Sequence, residues 1–270
     1  MSSDSGLVDP DGRPIDFGRT AVDYERYRPG FPDTFFDRLL DLEWIAPQDR
    51  ALDLGTGTGS MALGLASRGL DVVGLDLAPE LLEVARRVAE DRKLQVRFEE
   101  GKAEATGHEP MSFDLVTAGQ SWWWFDAART LAETRRILVP GGRLLICAFS
   151  YLPISANAAE RTEALILRFN PGWPKAGWRG VHPEQIEALD RAGFRRVESF
   201  SYTVDVPFSH EAWRGRIRTC NGVGSSLPPE EVARFDVALA ELLRSEFPGT
   251  LSVPHRVFAV SGLSPVGSGD

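Results

Sequence analysis

The chain has 270 residues, 43% of them hydrophobic, which is long enough for one α/β domain with an elaborated cap. Its formal net charge of −9 argues against a general nucleic-acid or anionic-membrane surface and points to a small-molecule substrate. Only two cysteines occur, no apolar run approaches the ~20 residues that span a bilayer, and residues 1–15 lack a secretion-signal layout. The expectation is therefore a cytoplasmic protein with no disulfide framework, no cysteine metal site and no membrane partner.

In chain order, residues 17–32 read Phe-Gly-Arg-Thr-Ala-Val-Asp-Tyr-Glu-Arg-Tyr-Arg-Pro-Gly-Phe-Pro. If this segment is helical, Tyr24 and Arg28 share a face, and Pro29 and Pro32 then force a turn. Residues 33–44 carry apolar positions at helical spacing, with Phe36, Leu39, Leu40 and Ile45 as a buried stripe. Residues 50–54 form a first strand, followed by Gly55-Thr56-Gly57 and Gly59, and a helix over 61–68. Glycines without a Cβ let a ligand lie against the backbone amides of the turn where the helix begins. A dinucleotide fingerprint needs its third glycine one position later, where Ser60 stands, and the Asp53 carboxylate would repel a pyrophosphate while suiting an ammonium group.

Residues 70–76 form a second strand ending in Asp76, where a carboxylate can accept hydrogen bonds from ribose hydroxyls, and Pro79 marks the next helix start. Leu77 stands either beside a bound base or in the ordinary core. A half-buried third strand covers 94–99 and a fourth 113–118. The stretch Gly119-Gln120-Ser-Trp122-Trp123-Trp124-Phe-Asp follows at the carboxyl end, the edge at which open α/β sheets bind ligands. Gly119 allows close backbone approach and Gln120 offers an amide. Three consecutive indoles cannot all face one way, so one faces the cleft and another the core. An amphipathic helix over 127–138 is stopped by Pro140-Gly141-Gly142, and a fifth strand covers 143–149.

Together these stretches resemble the class I S-adenosylmethionine (SAM)-dependent methyltransferases, in the type 11 group that includes trans-aconitate-methyltransferase-like proteins. The resemblance covers residues 17–149. It implies a Rossmann-like, mostly parallel seven-stranded sheet with helices on both faces, an antiparallel last strand pair and a helical cap over the carboxyl edge. It also implies that residues 1–32 are a tail and lid, in which Tyr24 covers the cofactor and Arg28 pairs with its carboxylate. The glycine turn holds the amino-acid end of SAM and Asp76 its ribose. Ala103 and Glu104, in Gly-Lys-Ala-Glu-Ala after the third strand, contact adenine through a backbone amide and an acid. Gly119, Gln120 and Trp122 line the methionine portion, a Trp near a sulfonium gaining roughly 0.5–2 kcal/mol of cation–π attraction. Relatives often have His where Trp123 stands here, so no base carries over to that position.

Beyond the core at 33–149, residues 150–182 read as an insertion that caps the sheet edge, with Trp178 in it, and 183–263 as the rest of the sheet interrupted by helical residues 209–247. Within these, helices are expected over 183–192, closed by Gly193, and over 209–220 and 228–244, with strands over 194–206 and 251–261. Residues 264–270 read as a tail. Of four histidines, His182 at the junction of cap and helix is the candidate base, the plainer alternative being a helix-start residue. Arg214, Arg216 and Arg218 form a local cationic patch, in which Arg218 and Asn221 at i, i+3 could reach one carboxylate-bearing acceptor or simply face solvent. The expected substrate contacts are Trp123, Trp178, Arg218 and Asn221. Two other functions stay open at this level, a noncatalytic SAM-binding interaction protein and an NAD-dependent dehydrogenase, and the sequence sets no oligomeric state.

Overall fold

The computed structural model describes residues 26–265, so Tyr24 lies outside the described residues. Seven strands are present: β1 (Arg50–Leu54), β2 (Asp71–Asp76), β3 (Val96–Glu100), β4 (Phe113–Gly119), β5 (Leu138–Tyr151), β6 (Arg195–Phe208) and β7 (Leu251–Leu263). The helices are α1 (Asp33–Asp41), α2 (Ser60–Ala66), α3 (Pro79–Asp91), α4 (Ala127–Ile137), α5 (Ala158–Phe169), α6 (Pro183–Arg191), α7 (His210–Arg218) and α8 (Pro229–Glu246). The strands form one sheet in the order β3-β2-β1-β4-β5-β7-β6. β1 pairs in parallel with β2 and β4, β2 with β3, and β4 with β5, while the last pair is antiparallel. Near-continuous apolar runs such as Leu52, Leu54, Val72, Val73, Leu75, Leu115 and Val116 are buried, as strands covered on both faces by helices require.

The chain divides into two compact units. Among the described residues, the core unit comprises Gly30–Phe149, Val181–Ser201 and 257–265; the helical unit comprises 26–29, Ser150–Gly180 and Tyr202–Arg256. In the core unit the chain leaves β1 for β2 and β3 on one side, then returns to β4 on the other. The strand order therefore reverses at β1 and β4, the switch point at which a crevice opens beyond the strand ends. The helical unit has a separate apolar centre in which Trp213, Phe235, Leu239 and Leu243 are fully buried. No helix among the described residues is long and apolar enough to cross a membrane.

Three local expectations are corrected. The helix expected over 33–44 stops at Asp41, because Glu43 turns to φ 53° and the Trp44 amide donates back to the Leu39 carbonyl at 2.8 Å. That reversal buries Trp44 against Phe200 and under the Arg143 guanidinium. The Pro140-Gly141-Gly142 segment is no turn before β5 but an irregularity inside it. Gly141, at φ 80°, donates to the Ser264 carbonyl at 3.2 Å, and the Ser264 amide donates to Gly142 at 2.7 Å, so the ladder continues through it. Within 150–182 stands a full helix, α5, whose Asn157 accepts from the Glu160 amide while Glu160 accepts from the Ala156 amide. That reciprocal cap, Asn followed three residues later by Glu, is a sequence signal of a helix start.

α2 lies against α1 through one glycine: a Cβ built on Gly64 would stand 2.0 Å from the Phe36 ring. Gly64→Ala should therefore overpack this contact and cost about 1–3 kcal/mol. The check is thermal denaturation, where an unchanged midpoint would show that the two helices separate freely.

Candidate active site

The carboxyl ends of β1, β2 and β4 bring most of the expected residues together in the core unit. After β1 the backbone turns through Gly55 (φ 63°), Gly57 (φ 56°) and Gly59 (φ 85°), all in the left-handed region that favours glycine. The reasons differ along the turn. A Cβ on Gly55 would meet Ser121 Cβ at 2.6 Å, whereas one on Gly57 would meet no protein atom within 4 Å, so packing does not explain the bare backbone there. Gly59 caps α2, and the Thr56 amide donates to the Leu75 carbonyl at 3.0 Å.

Two aspartates flank this turn, and one of them holds it. Asp76, at the end of β2, accepts from the Gly57 amide at 2.8 Å through Oδ2 and from the Ala78 amide at 2.9 Å through Oδ1. Burial raises its pKa, against the lowering effect of these backbone donors. Each carboxylate oxygen keeps a second acceptor position for a ligand hydroxyl. Asp53 lies beneath the turn, 1% exposed, with Oδ1 accepting from the Thr117 hydroxyl at 2.8 Å. Its Oδ2 and the buried Thr56 hydroxyl meet no partner in good hydrogen-bond geometry among the described residues, although the Thr56 hydroxyl and the Ala62 amide lie near enough to the carboxyl to lower its pKa in part. Burial pushes the Asp53 carboxyl up to about 7, with nearby Asp76 adding to the rise. The ionised carboxylate expected from the sequence is thus corrected to a group about half protonated at neutral pH, which a neighbouring cation would return to the charged form.

Thr117 and Ser121 are site residues that the sequence pattern did not single out. Thr117 is the strand partner of Asp53 across β1 and β4, a polar residue inside the apolar run Leu-Val-Thr-Ala, which is the signal that could have found it. The Ser121 hydroxyl donates to the Leu54 carbonyl at 2.6 Å and ties the loop after β4 to the turn after β1. In that loop Gln120 is held at φ 66°, unusual for a side-chain-bearing residue, by its amide donating to the Cys147 carbonyl at 2.9 Å. Gly119 lies against Met61 and Phe31, where a Cβ would approach to 3.2–3.3 Å. Leu77 is exposed at the start of α3. Ala103 and Glu104 sit in a tight turn closed by the Ala105 amide on the Lys102 carbonyl, and Glu104 accepts from the Asp126 amide at 2.9 Å.

The Trp run forms a single 3-10 turn, Trp122–Trp124. Trp122 is 2% exposed and meets Phe125 edge-on, which corrects its expected role: its indole is committed to the interior, while Trp123 and Trp124 stay partly exposed. Trp123 stacks on the His182 imidazole, with centroids 4.4 Å apart and planes at 17°. His182 immediately precedes α6, and its Nδ1 lies 2.9 Å from Glu184 Oε1. Burial works to raise the Glu184 pKa, but hydrogen bonds including that from His182 outweigh it and leave it lowered. An ionised carboxylate only accepts, so in this contact Nδ1 carries a proton and Glu184 orients the ring.

The remaining expected residues belong to the helical unit. Arg28 donates to Thr219, from Nε to the hydroxyl at 2.9 Å and from Nη2 to the carbonyl at 3.1 Å. Trp178 is partly buried, with its amide directed to the Lys175 carbonyl. The pairing of Arg218 with Asn221 on one ligand is overturned. Arg218 and Arg214 share a helix face and both bind the Asp236 carboxylate of α8, while Asn221 accepts from the Trp173 indole at 3.2 Å.

A family profile described as "Methyltransferase domain" matches residues 52–146. A demethylmenaquinone methyltransferase of Chlorobaculum tepidum is 30% identical over 187 residues, covering 62% of this chain and 74% of that one. An uncharacterised methyltransferase of Mycobacterium tuberculosis is 41% identical over 130 residues, covering 48% of this chain. The match spans 50% of that relative's length. Among solved structures, a putative type II methyltransferase from Anaeromyxobacter dehalogenans shares the fold at a TM-score of 0.60 and 23% identity, over 89% of this chain and 98% of that one.

The raised Asp53 pKa fixes a sign. The folded protein holds this proton where the unfolded chain, with an ordinary carboxyl, has released it, so stability is lost as pH rises from about 4 to 7. In urea titrations of the ligand-free protein, Asp53→Asn should gain on the wild type by on the order of 2 kcal/mol between pH 5 and pH 7.5. An equal difference at both pH values would show Asp53 to be fully ionised in the fold.

Proposed function

The chain belongs to the class I SAM-dependent methyltransferase family, and we propose that it transfers the methyl group of SAM to an oxygen, nitrogen or carbon nucleophile of a small organic acceptor. The observation that carries this reading is the pair of acids around an otherwise bare glycine turn. Asp53 keeps a buried, open acceptor atom beneath the turn, which suits a ligand ammonium and disfavours a pyrophosphate. The open face of Gly57 leaves room for that ligand against the backbone. When bound, SAM supplies a methyl group already activated by sulfonium charge and leaves as a neutral thioether.

The chain's own residues bind, orient and exclude water. Asp76 takes the ribose hydroxyls with the acceptor positions its backbone bonds leave over, and the Ala103 amide and Glu104 take the adenine edge, with Leu77 beside the ring. Gly119 and Gln120 face the methionine portion, and the partly exposed Trp123 and Trp124 shield the transfer from water, a setting that supports positioning of the nucleophile. His182, oriented by Glu184 and stacked on Trp123, takes the proton that an O–H or N–H acceptor releases.

Two measurements test the reading. S-adenosylhomocysteine should bind in calorimetry and NADH should not; Asp76→Asn, which replaces one acceptor oxygen by an amide donor, should weaken that binding about tenfold or more. Tight NADH binding with no response to the SAM product would point to a dehydrogenase instead. In a labelled-SAM screen of cell extract a methylated product is expected, and none would favour a noncatalytic SAM-binding protein. With the acceptor in hand, His182→Gln should lower kcat about a hundredfold or more and leave S-adenosylhomocysteine affinity intact. An unchanged kcat would remove His182 from the chemistry.

A further inference from the structure

With the Trp122 indole committed to the interior, the aromatic contact expected for the sulfonium falls to another ring of the core unit. Gly30 and Phe31, which belong to that unit and precede α1, run from one lip of its crevice to the other. On the side of the glycine turn, a Cβ built on Gly30 would stand 2.9 Å from the Ser60 hydroxyl oxygen at the start of α2. On the other side, Phe31 Cε2 is 3.3 Å from the position that a Cβ on Gly119 would take, at the end of β4. Met61, in the first turn of α2, completes that contact, with its Cβ and Cε both 3.2 Å from the same position.

Two further rings back Phe31. The Phe35 centroid lies 4.7 Å away with its plane tilted by 31°, and the Phe149 centroid 6.0 Å away. Both of these are interior, 0% and 3% exposed, while Phe31 keeps part of its surface open beside the strand ends. Its place relative to the two aspartates matters as well. Gly119 stands two residues beyond Thr117, the strand partner of Asp53 and a hydrogen-bond donor to it. SAM carries its ammonium and its sulfonium on one short carbon chain. A ligand whose ammonium meets Asp53 therefore brings its sulfonium to the neighbouring strand end, where Phe31 lies against Gly119.

We propose that the Phe31 ring is the aromatic partner of the sulfonium and makes the site prefer SAM to S-adenosylhomocysteine. The face of an aromatic ring carries the negative part of its quadrupole and attracts a cation. On transfer the carbon–sulfur bond to the methyl group breaks and its electron pair stays on sulfur, so the sulfonium becomes a neutral thioether. The attraction is lost with the charge, and Phe31 then holds the product less tightly than the donor. This inference rests on the core unit holding SAM.

The test is calorimetry on the full chain with SAM and with S-adenosylhomocysteine, without an acceptor. Phe31→Leu keeps apolar bulk and removes the ring face; SAM affinity should fall at least about threefold more than S-adenosylhomocysteine affinity. Phe31→Tyr keeps the face and should hold the ratio of the two affinities within about twofold of wild type. Phe31→Met carries the test if the Leu variant does not fold. Equal losses for both ligands, or unchanged affinities, would overturn the proposal and leave the SAM site itself standing, with Phe31 as packing alone. A ratio that shifts in Trp124→Leu and not in Phe31→Leu would overturn it too. If the wild type binds neither ligand, the SAM site falls, and this inference with it.

Discussion

The carboxylate of Asp76 is the point on which the geometry of the core unit turns. One of its oxygens holds the Gly57 amide and the other the Ala78 amide, so a single side chain joins the end of β2 to the glycine turn after β1 and to the start of α3. A turn with glycine at three of its five positions has more backbone freedom than one built of side-chain-bearing residues. Left to itself it would sample many shapes. Anchored by Asp76 on one side and by the Thr56 amide on the Leu75 carbonyl, it presents one surface, and the Ser121 hydroxyl on Leu54 fixes the neighbouring loop against it.

The two aspartates show how the same group does different work in different surroundings. Burial raises the pKa of Asp76, and the backbone donors that meet it offset part of that rise. Burial drives the Asp53 pKa up to about 7, and nearby hydroxyls, Thr117 at 2.8 Å among them, offset it only in part. An apolar residue at position 53 would avoid this penalty in the protein alone. Its retention beneath an open turn is the sort of local cost that binding sites carry, because a ligand cation supplies what the fold withholds.

In the helical unit, helix geometry sorts three neighbouring charges. α7 places arginines at positions 214, 216 and 218, and helical geometry sends the first and last to Asp236 and the middle one inward. Tyr151 from the end of β5 and Cys220 just past α7 hold that middle guanidinium without neutralising it. Trp213, on the same helix, anchors it through an indole donor to the Thr162 hydroxyl at 3.0 Å.

Much of the core was legible in the sequence. Period and punctuation located β1 to β4, and positive φ at Gly55, Gly57 and Gly59 is what their residue type suggested. Short-range signals of this kind act within a few residues, so they survive in one dimension. The same holds for α5, whose Asn157–Glu160 cap was there to be read. What only the tertiary structure decided were pairings between distant segments: Thr117 beneath Asp53, Trp123 on His182, and Asp236 taking Arg214 and Arg218 away from any ligand. Which Trp of three goes inside, and which arginine of three stays without a carboxylate, depends on neighbours tens of residues away. Burial and charge balance are properties of the packed chain, and the spacing of residue types along it leaves them open.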